Sequence, residues 1–185
     1  MIYDFDTCPV RRGTDSVKWS LYGPDVLPMW VADMDFVSPE PVVRALVERA
    51  RHGVFGYPDS VVPGRCGELA ALVAARMAER YRWEVSPEEV VLVPGVVTGL
   101  NLACHAVAAP GSAVVVQTPV YPPFLEVPAN AGAERRDAEL SLRPDGAYEV
   151  DFDALEAAIA GRGGGGPAAL FVLCSPHNPV GRVFR

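Results

Sequence analysis

The sequence contains a single lysine, Lys18, although it has 185 residues and 16 basic side chains. Any chemistry that needs a side-chain amine therefore has one candidate in this sequence. Acidic residues outnumber basic ones, so the formal net charge is −7 and the isoelectric point is near 4.9. This charge argues against binding to nucleic acid or to an anionic membrane, because both attract basic proteins.

Cysteine and long apolar runs are also scarce. The cysteines at positions 8, 66, 104 and 174 are far apart and form no C-x-x-C pair, which argues against a zinc site and a disulfide framework. No apolar run approaches the ~20 residues that span a bilayer. The N-terminus is acidic and lacks the pattern of a signal peptide. We therefore expect a cytoplasmic protein with free thiols, no bound metal, and neither membrane nor nucleic acid as a partner.

Segments with strand and helix patterns alternate from residue 86 onward. The pattern predicts strands at 90–93, 113–117, 134–140 and 168–173, with helices at 96–108, 121–131 and 152–160 between them. Apolar residues at helical spacing predict two earlier helices, at 41–51 and 68–82. Alternation of this kind predicts an α/β fold with a mostly parallel sheet covered by helices.

A polar turn at 174–182 follows the last predicted strand. Pro176 and Pro179 disfavour helix there, and Asn178 lies between them. In an open α/β sheet, ligands bind at the carboxyl ends of the strands, where this turn would lie. The alternative is an ordinary surface turn, since Asn-Pro dipeptides commonly form turns.

The segment 94–98, Pro-Gly-Val-Val-Thr, predicts a strand-to-helix turn. A helix N-terminus presents unpaired N–H groups and partial positive charge, which suit a phosphate. The sequence has neither G-x-G-x-x-G nor a P-loop motif, so no dinucleotide fold or P-loop is indicated. Taken alone, the turn could be no more than a helix start.

Two tyrosines and two histidines are weaker candidates. Tyr121 follows a strand end between prolines and could stack on a planar ligand, although a packed tyrosine is at least as good an explanation. Tyr57, in a loop rich in glycine and proline, is equally ambiguous. His177 is a weak candidate, and His105 is expected to pack in the core of its helix. Together, the phosphate-ready helix start, the aromatic ring and the asparagine turn fit a flat, aromatic, phosphorylated cofactor.

Four motifs in order resemble one enzyme family: PMWVADMDF at 28–36, PGVVT at 94–98, PVYPPF at 119–124 and SPHNPVGR at 175–182. The chain resembles the N-terminal half of a fold-type I pyridoxal-phosphate (PLP) enzyme of aminotransferase class I/II, nearest to the cystathionine β-lyase-like C–S lyases. The resemblance implies a PLP-dependent transferase-like fold. Residues 1–52 would be an N-terminal arm and small-domain segment, and 53–185 an incomplete PLP-binding large domain.

The resemblance also implies roles for individual residues. The backbone N–H groups of Val96, Val97 and Thr98 would bind the phosphate of the cofactor. Tyr121 would stack on its pyridine ring, and Asn178 would form a hydrogen bond to its 3-hydroxyl oxygen. Ala32 would lie beside the substrate carboxylate. Tyr57 would reach the phosphate of a neighbouring subunit, which implies a homodimer.

The family's Schiff-base lysine, a ring-pairing aspartate and a carboxylate-binding arginine all follow the asparagine motif, whereas this chain ends at Arg185. Lys18 does not match the lysine's motif. We therefore expect no catalytic residue within these 185 residues and no activity from them alone.

The resemblance implies a β-lyase that converts cystathionine or a cysteine S-conjugate to a thiol, pyruvate and ammonia. The alternatives are a fragment of an aminotransferase and a non-catalytic remnant for cofactor binding or dimerisation; a nucleotide-binding module is weakened by the missing phosphate-loop motifs.

Overall fold

The computed structural model describes residues 3–58 and 67–184. Cys66, expected to be a free thiol, lies outside the described residues. The chain divides into two compact units, Met1–Gly67 and Glu68–Arg185. No helix among the described residues is both long and apolar enough to cross a membrane.

The described residues of the first unit form two helices, α1 (Val17–Ser20) and α2 (Glu40–His52). Helix α2 confirms the helix predicted at 41–51. Pro41, which needs no N–H partner there, lies in its first turn. The helix ends at Gly53, whose φ of 74° is readily adopted only by glycine and whose N–H donates to the carbonyl of Ala50.

The first unit has almost no apolar interior. Ser16 and Pro28 are its only buried residues among those described. Large apolar side chains such as Met29 and Met34 are 84% and 80% exposed. Hydrophobic burial therefore contributes little to the order of this unit by itself.

The second unit combines helices with a parallel sheet. Its elements are α3 (Gly67–Tyr81), a 3-10 turn (Pro87–Glu89), α4 (Val96–Val107), β1 (Ala113–Thr118), α5 (Pro122–Asn130), β2 (Glu134–Glu139), β3 (Ser141–Leu142), β4 (Tyr148–Glu149), α6 (Phe152–Ala160) and β5 (Leu170–Val172). The helices predicted at 68–82, 96–108, 121–131 and 152–160 are confirmed, as are the strands predicted at 113–117, 134–140 and 168–173. Asp151 caps α6 by accepting a hydrogen bond of 2.9 Å from the N–H of Ala154.

The sheet has the order β2-β1-β5, with both pairings parallel. Strand β1 lies in the centre, and Val115 is opposite Arg136 on one side and Phe171 on the other. This position explains its sequence, because a strand covered on both faces must be apolar throughout. Strand β2, at the edge, carries charged residues. The parallel α/β architecture expected from the alternation is confirmed.

The core lies between the sheet and helices α4 and α5. It comprises Cys104, Ala108, Val114, Val127 and Ala131. Burial raises the pKa of the Cys104 thiol, because the charged thiolate would lose its hydration. Cys104 is accordingly a small apolar core residue and an inert thiol.

Three features differ from the sequence-based expectations. Residues 90–93 form no strand: no described strand pairs with them, and Val91 is 77% exposed. The hairpin β3–β4 was not predicted, because strands of two residues carry too little periodicity. His105 is exposed and does not pack in the core. The core face of α4 runs through Cys104 and Ala108, and His105 is rotated ~100° away from it.

Candidate functional site

Two turns meet at the carboxyl ends of neighbouring parallel strands. One follows β1 and contains Tyr121, the N-cap of α5. The other follows β5 and contains Asn178. The backbone N–H of Tyr121 donates to the carbonyl oxygen of Asn178 over 2.8 Å. The structure therefore brings these two predicted site residues together, at the edge of the sheet where α/β proteins bind ligands.

Both residues present surface at this edge. Tyr121 is 42% exposed, and Asn178 is also exposed. The N–H of Asn178 points to the sulfur of Cys174 at 3.5 Å. The N–H of Gly181 donates to the carbonyl of His177 over 2.7 Å, closing the turn on itself. Tyr121 and Asn178 thus lie on an ordered backbone with side chains that a ligand can reach.

His177 connects the same two turns through its side chain. Its ring is 1% exposed, and its Nε2 lies 2.8 Å from the carbonyl oxygen of Pro119. From the sequence, His177 is only a weak candidate, because a lone histidine in a turn carries no signal of its partner. Its position beside Asn178, in a turn between two prolines, is the sequence signal that could have indicated its role.

The start of α4 is the third part of the site. Gly95 precedes the helix with φ 120° and ψ 157°, a conformation that is essentially restricted to glycine. The N–H groups in the first turn of a helix have no partner within the helix, and here these belong to Val96, Val97 and Thr98. All three residues are exposed. This N-terminus therefore offers backbone donors and partial positive charge to an anion.

Two asparagines connect the start of α4 with α5. The side-chain amide of Asn101 donates to the carbonyl of Val97 over 2.9 Å. The amide of Asn130 donates to Asn101 Oδ1, also over 2.9 Å. Because Tyr121 caps α5, these bonds connect the candidate phosphate donors with the helix that the tyrosine begins. The sequence motifs do not include Asn101 or Asn130.

The other two predicted site residues, Ala32 and Tyr57, lie in the first unit. Both are exposed, and Tyr57 is 96% exposed. Ala32 directly precedes Asp33, which belongs to a network of charged side chains. Tyr57 has no packing role among the described residues that would explain an aromatic side chain at its position.

The charged network comprises Arg11, Lys18, Trp19, Asp33 and Asp35. Arg11 pairs with Asp33 at 2.9 Å and with Asp35 at 2.8 Å. Lys18 Nζ donates to the carbonyl oxygen of Asp33 over 2.6 Å and to Asp35 Oδ2 over 2.7 Å. The indole N–H of Trp19 donates to Asp35 Oδ1 over 2.8 Å. The bond from Lys18 to the carbonyl of Asp33 holds the backbone that directly follows Ala32.

The network favours the ionised form of its central carboxylate. The hydrogen bond from Lys18, followed by that from Trp19, lowers the pKa of Asp35 to about 2. Hydrogen bonds to Asp33 and Asp35 raise the pKa of Arg11. The two aspartates thus have a structural role, and the only lysine of the chain is hydrogen-bonded to both of them.

The second unit combines a helix start that offers free N–H groups with Tyr121 and Asn178, whose backbones are joined by one hydrogen bond. Such a combination suits a planar, phosphorylated small molecule at the carboxyl edge of a parallel sheet. The chain belongs to the aminotransferase class I and II family, whose model matches residues 24–185.

Individual relatives show which members of the family the chain is similar to. Cystathionine β-lyase PatB of Bacillus subtilis is 44% identical over 186 residues, which cover 97% of this chain and 45% of that protein. The crystal structure of cystalysin from Treponema denticola, which contains PLP, matches with a TM-score of 0.82 at 33% identity, over 100% of this chain and 46% of that one. The PLP-bound C–S lyase of Staphylococcus hominis matches with a TM-score of 0.81 at 30% identity, over 99% and 45% of the two chains.

These comparisons confirm the resemblance and the fold class expected from the sequence. The matched structures are PLP-bound enzymes of the fold-type I class, and the curated relatives include cystathionine β-lyases. The chain spans about half the length of the curated relatives it matches.

Proposed function

We propose that this chain provides the phosphate-binding and ring-binding part of a PLP-dependent C–S β-lyase. The observation that carries the proposal is the pairing of Tyr121 with Asn178, over 2.8 Å, at the carboxyl edge of the sheet. The substrate would be cystathionine or a cysteine S-conjugate, and the products a thiol, pyruvate and ammonia. The relatives support this reaction, since they are named as cystathionine β-lyases and a C–S lyase.

The chemistry of the donor set fits the cofactor. The N–H groups of Val96, Val97 and Thr98 would hold its phosphate, since a helix N-terminus favours an anion. The half-exposed ring of Tyr121 would stack on the pyridine ring. Asn178 would donate its side-chain amide to the ring's 3-hydroxyl oxygen. Together these groups would fix the plane and the rotation of the ring.

PLP, when bound, supplies an electron sink for the carbanion at the substrate's Cα. The residues of this chain bind and orient. A hydrogen bond from Asn178 to the 3-oxygen would favour its ionised form, since an amide N–H stabilises a neighbouring negative charge. Tyr121 would cover one face of the ring and exclude water from it.

We propose that Ala32 lies beside the substrate carboxylate and that Tyr57 binds the phosphate held by a second copy. The charged network around Asp35 supports the first role, because it fixes the backbone that follows Ala32. The 96% exposure of Tyr57 supports the second, because a tyrosine that the described residues leave uncovered is available to another subunit. The enzyme would then be a homodimer with shared sites.

These 185 residues alone would bind the cofactor without catalysing the reaction. The only lysine of the chain is Lys18, and its Nζ is engaged by Asp33 and Asp35. The amine that carries PLP covalently and removes the α-proton would therefore have to come from other residues. The engagement of the only lysine also favours a second candidate function, a non-catalytic cofactor-binding unit.

The other alternative is an aminotransferase that uses the same cofactor. The motif at 28–36 and the names of the relatives favour the lyase.

We also propose a cytoplasmic location. The exposed thiol of Cys8 and the wide spacing of the cysteines are typical of a reducing compartment.

The test is a fusion in which this chain replaces the matching segment of the B. subtilis relative. With PLP and cystathionine, the fusion should release a thiol and pyruvate. Tyr121→Ala should lower kcat/KM by about tenfold or more, the loss expected for one stacking contact of about 1.4 kcal/mol. Tyr81→Ala, which alters an exposed tyrosine outside the site, is the matched control. Transfer of the amino group to a keto acid without pyruvate release would favour the aminotransferase instead.

A further inference from the structure

We propose that His177 is a positioning residue, which acts as a hydrogen-bonded clamp between the Tyr121 turn and the Asn178 turn. The importance of the clamp for a cofactor rests on the function proposed above, whereas the clamp itself can be tested without one. The inference starts from the imidazole, which is 1% exposed and lies within hydrogen-bond distance of the Pro119 carbonyl.

The chemistry of the partner determines the tautomer. The Pro119 carbonyl oxygen can only accept a hydrogen bond, so His177 Nε2 must carry the hydrogen in the 2.8 Å contact. In the neutral ring, Nδ1 is then an unprotonated acceptor. Nδ1 is buried and has no hydrogen-bond partner in the part of the chain that the structure describes. The ring is therefore held through one nitrogen, and the Nε2–H tautomer is the one that preserves the contact.

Two hydrogen bonds join the turns side by side. The His177 ring binds the carbonyl of Pro119, and the carbonyl of the next residue, Asn178, accepts from the N–H of Tyr121. Each turn thus contributes one donor and one acceptor. Because both bonds cross between the same two segments, loss of the first lets the segments separate and weakens the second.

Packing and backbone contacts fix the ring on its other sides. The ring meets Phe184 edge-on, with centroids 5.7 Å apart. The backbone N–H of His177 donates to the carbonyl of Arg182 over 2.7 Å. The position of Asn178 relative to Tyr121 therefore depends on a buried side chain that need not touch a ligand itself.

Two substitutions separate the hydrogen bond from the packing. In His177→Gln, the amide nitrogen can occupy the place of Nε2 and donate to Pro119. In His177→Leu, the volume is similar but the donor is missing. The readout is amide hydrogen exchange at Tyr121, compared with exchange at Val115 and Val116 in the buried strand β1. His105→Gln, on the exposed side of α4, is the control.

His177→Leu should accelerate exchange at Tyr121 about tenfold, the factor that corresponds to about 1.4 kcal/mol, while the β1 amides keep their rates. His177→Gln should stay within about twofold of the parent. Nitrogen NMR of the parent ring should show the hydrogen on Nε2. Equal exchange at Tyr121 in the Leu variant and the parent would overturn the clamp. So would equal acceleration of the Tyr121 and β1 amides, failure of Gln to rescue, or a hydrogen on Nδ1.

A binding measurement keeps the two proposals apart. Pyridoxamine phosphate has the ring and phosphate of PLP but no aldehyde, so it cannot react with Lys18. It should bind His177→Leu about tenfold more weakly than His177→Gln. The exchange contrast without any binding would leave the clamp standing and contradict the proposed function. Binding of pyridoxamine phosphate, with equal Tyr121 exchange in the Leu and Gln variants, would support the proposed function and overturn the clamp. If the Leu variant does not fold, the Gln variant and the NMR of the parent still decide the matter.

Discussion

Lys18 Nζ lies 2.7 Å from Asp35 Oδ2, and the same ammonium group donates to the carbonyl oxygen of Asp33 over 2.6 Å. The lysine side chain is only 12% exposed. The single amine side chain in the sequence is thus held in place by two acceptors of the neighbouring loop. A lysine must reach an aldehyde before it reacts, and this pairing restrains the amine.

Removal of the carboxylate should make Lys18 reactive. In Asp35→Asn, the amine loses the charged acceptor that holds it in place, so reaction with PLP trapped by borohydride should label Lys18 several-fold faster than in the parent chain. Peptide mass spectrometry measures the labelling. Asp15→Asn, at an exposed position, should label like the parent. Rapid labelling of Lys18 in the parent would show that the pairing does not protect the amine.

The first unit should respond to acid through Asp35. Its pKa is lowered in the folded chain to about 2, from a usual value of 3.8. A depressed carboxyl pKa gives stability that is present above the unfolded value and lost as the pH falls toward the folded value. We expect the network to weaken between about pH 4 and pH 2. Carboxyl carbon NMR should place the midpoint for Asp35 near 2; a midpoint near 3.8 would contradict the geometry of the network.

Gly95 should be intolerant of a side chain. At φ 120° and ψ 157°, Gly95→Ala should lower the free energy of unfolding by about 1–3 kcal/mol, measured by urea denaturation. It should also weaken binding of pyridoxamine phosphate, because the first turn of α4 must shift. Gly99→Ala, inside the same helix with an ordinary contact of 3.4 Å to Val93, is the control. Equal effects of the two substitutions would refute the special role of Gly95.

Substitutions at two valines should distinguish the buried strand β1 from residues 90–93, which were wrongly expected to form a strand. Val116 in β1 is fully buried, and Val116→Ala should cost about 2–3 kcal/mol in lost burial and cavity formation. Val91 is 77% exposed, so Val91→Ala should change stability by less than about 0.5 kcal/mol. Urea denaturation of both variants measures the difference. A cost at Val91 as large as that at Val116 would indicate a paired strand at 90–93 after all.

The sequence predicted the parts of the fold that local pattern controls. The apolar run at 113–117 could only be a buried strand, and glycine and proline marked the ends of α2 and α4. Residues 90–93 have the same composition as a strand, but strand formation depends on a neighbour that local sequence does not reveal.

The site was predictable only as far as its motifs extend. Tyr121 and Asn178 were each ambiguous alone, and their hydrogen bond depends on the register of β1 and β5. The role of His177 depends on a carbonyl far along the chain, at Pro119. The engagement of Lys18 by Asp35 likewise depends on the path of an irregular segment, which carries no periodicity from which it could be inferred.

The most direct test of the proposed site is calorimetric binding of pyridoxamine phosphate to the 185-residue chain, with pyridoxamine as the analogue that lacks the phosphate. We expect saturable binding at one site per chain, weaker binding of pyridoxamine, and a loss of about tenfold or more in both Tyr121→Ala and Asn178→Ala, which is about 1.4 kcal/mol or more for each contact. Absence of saturable binding, or affinity unchanged by either substitution, would contradict a cofactor site at these two turns.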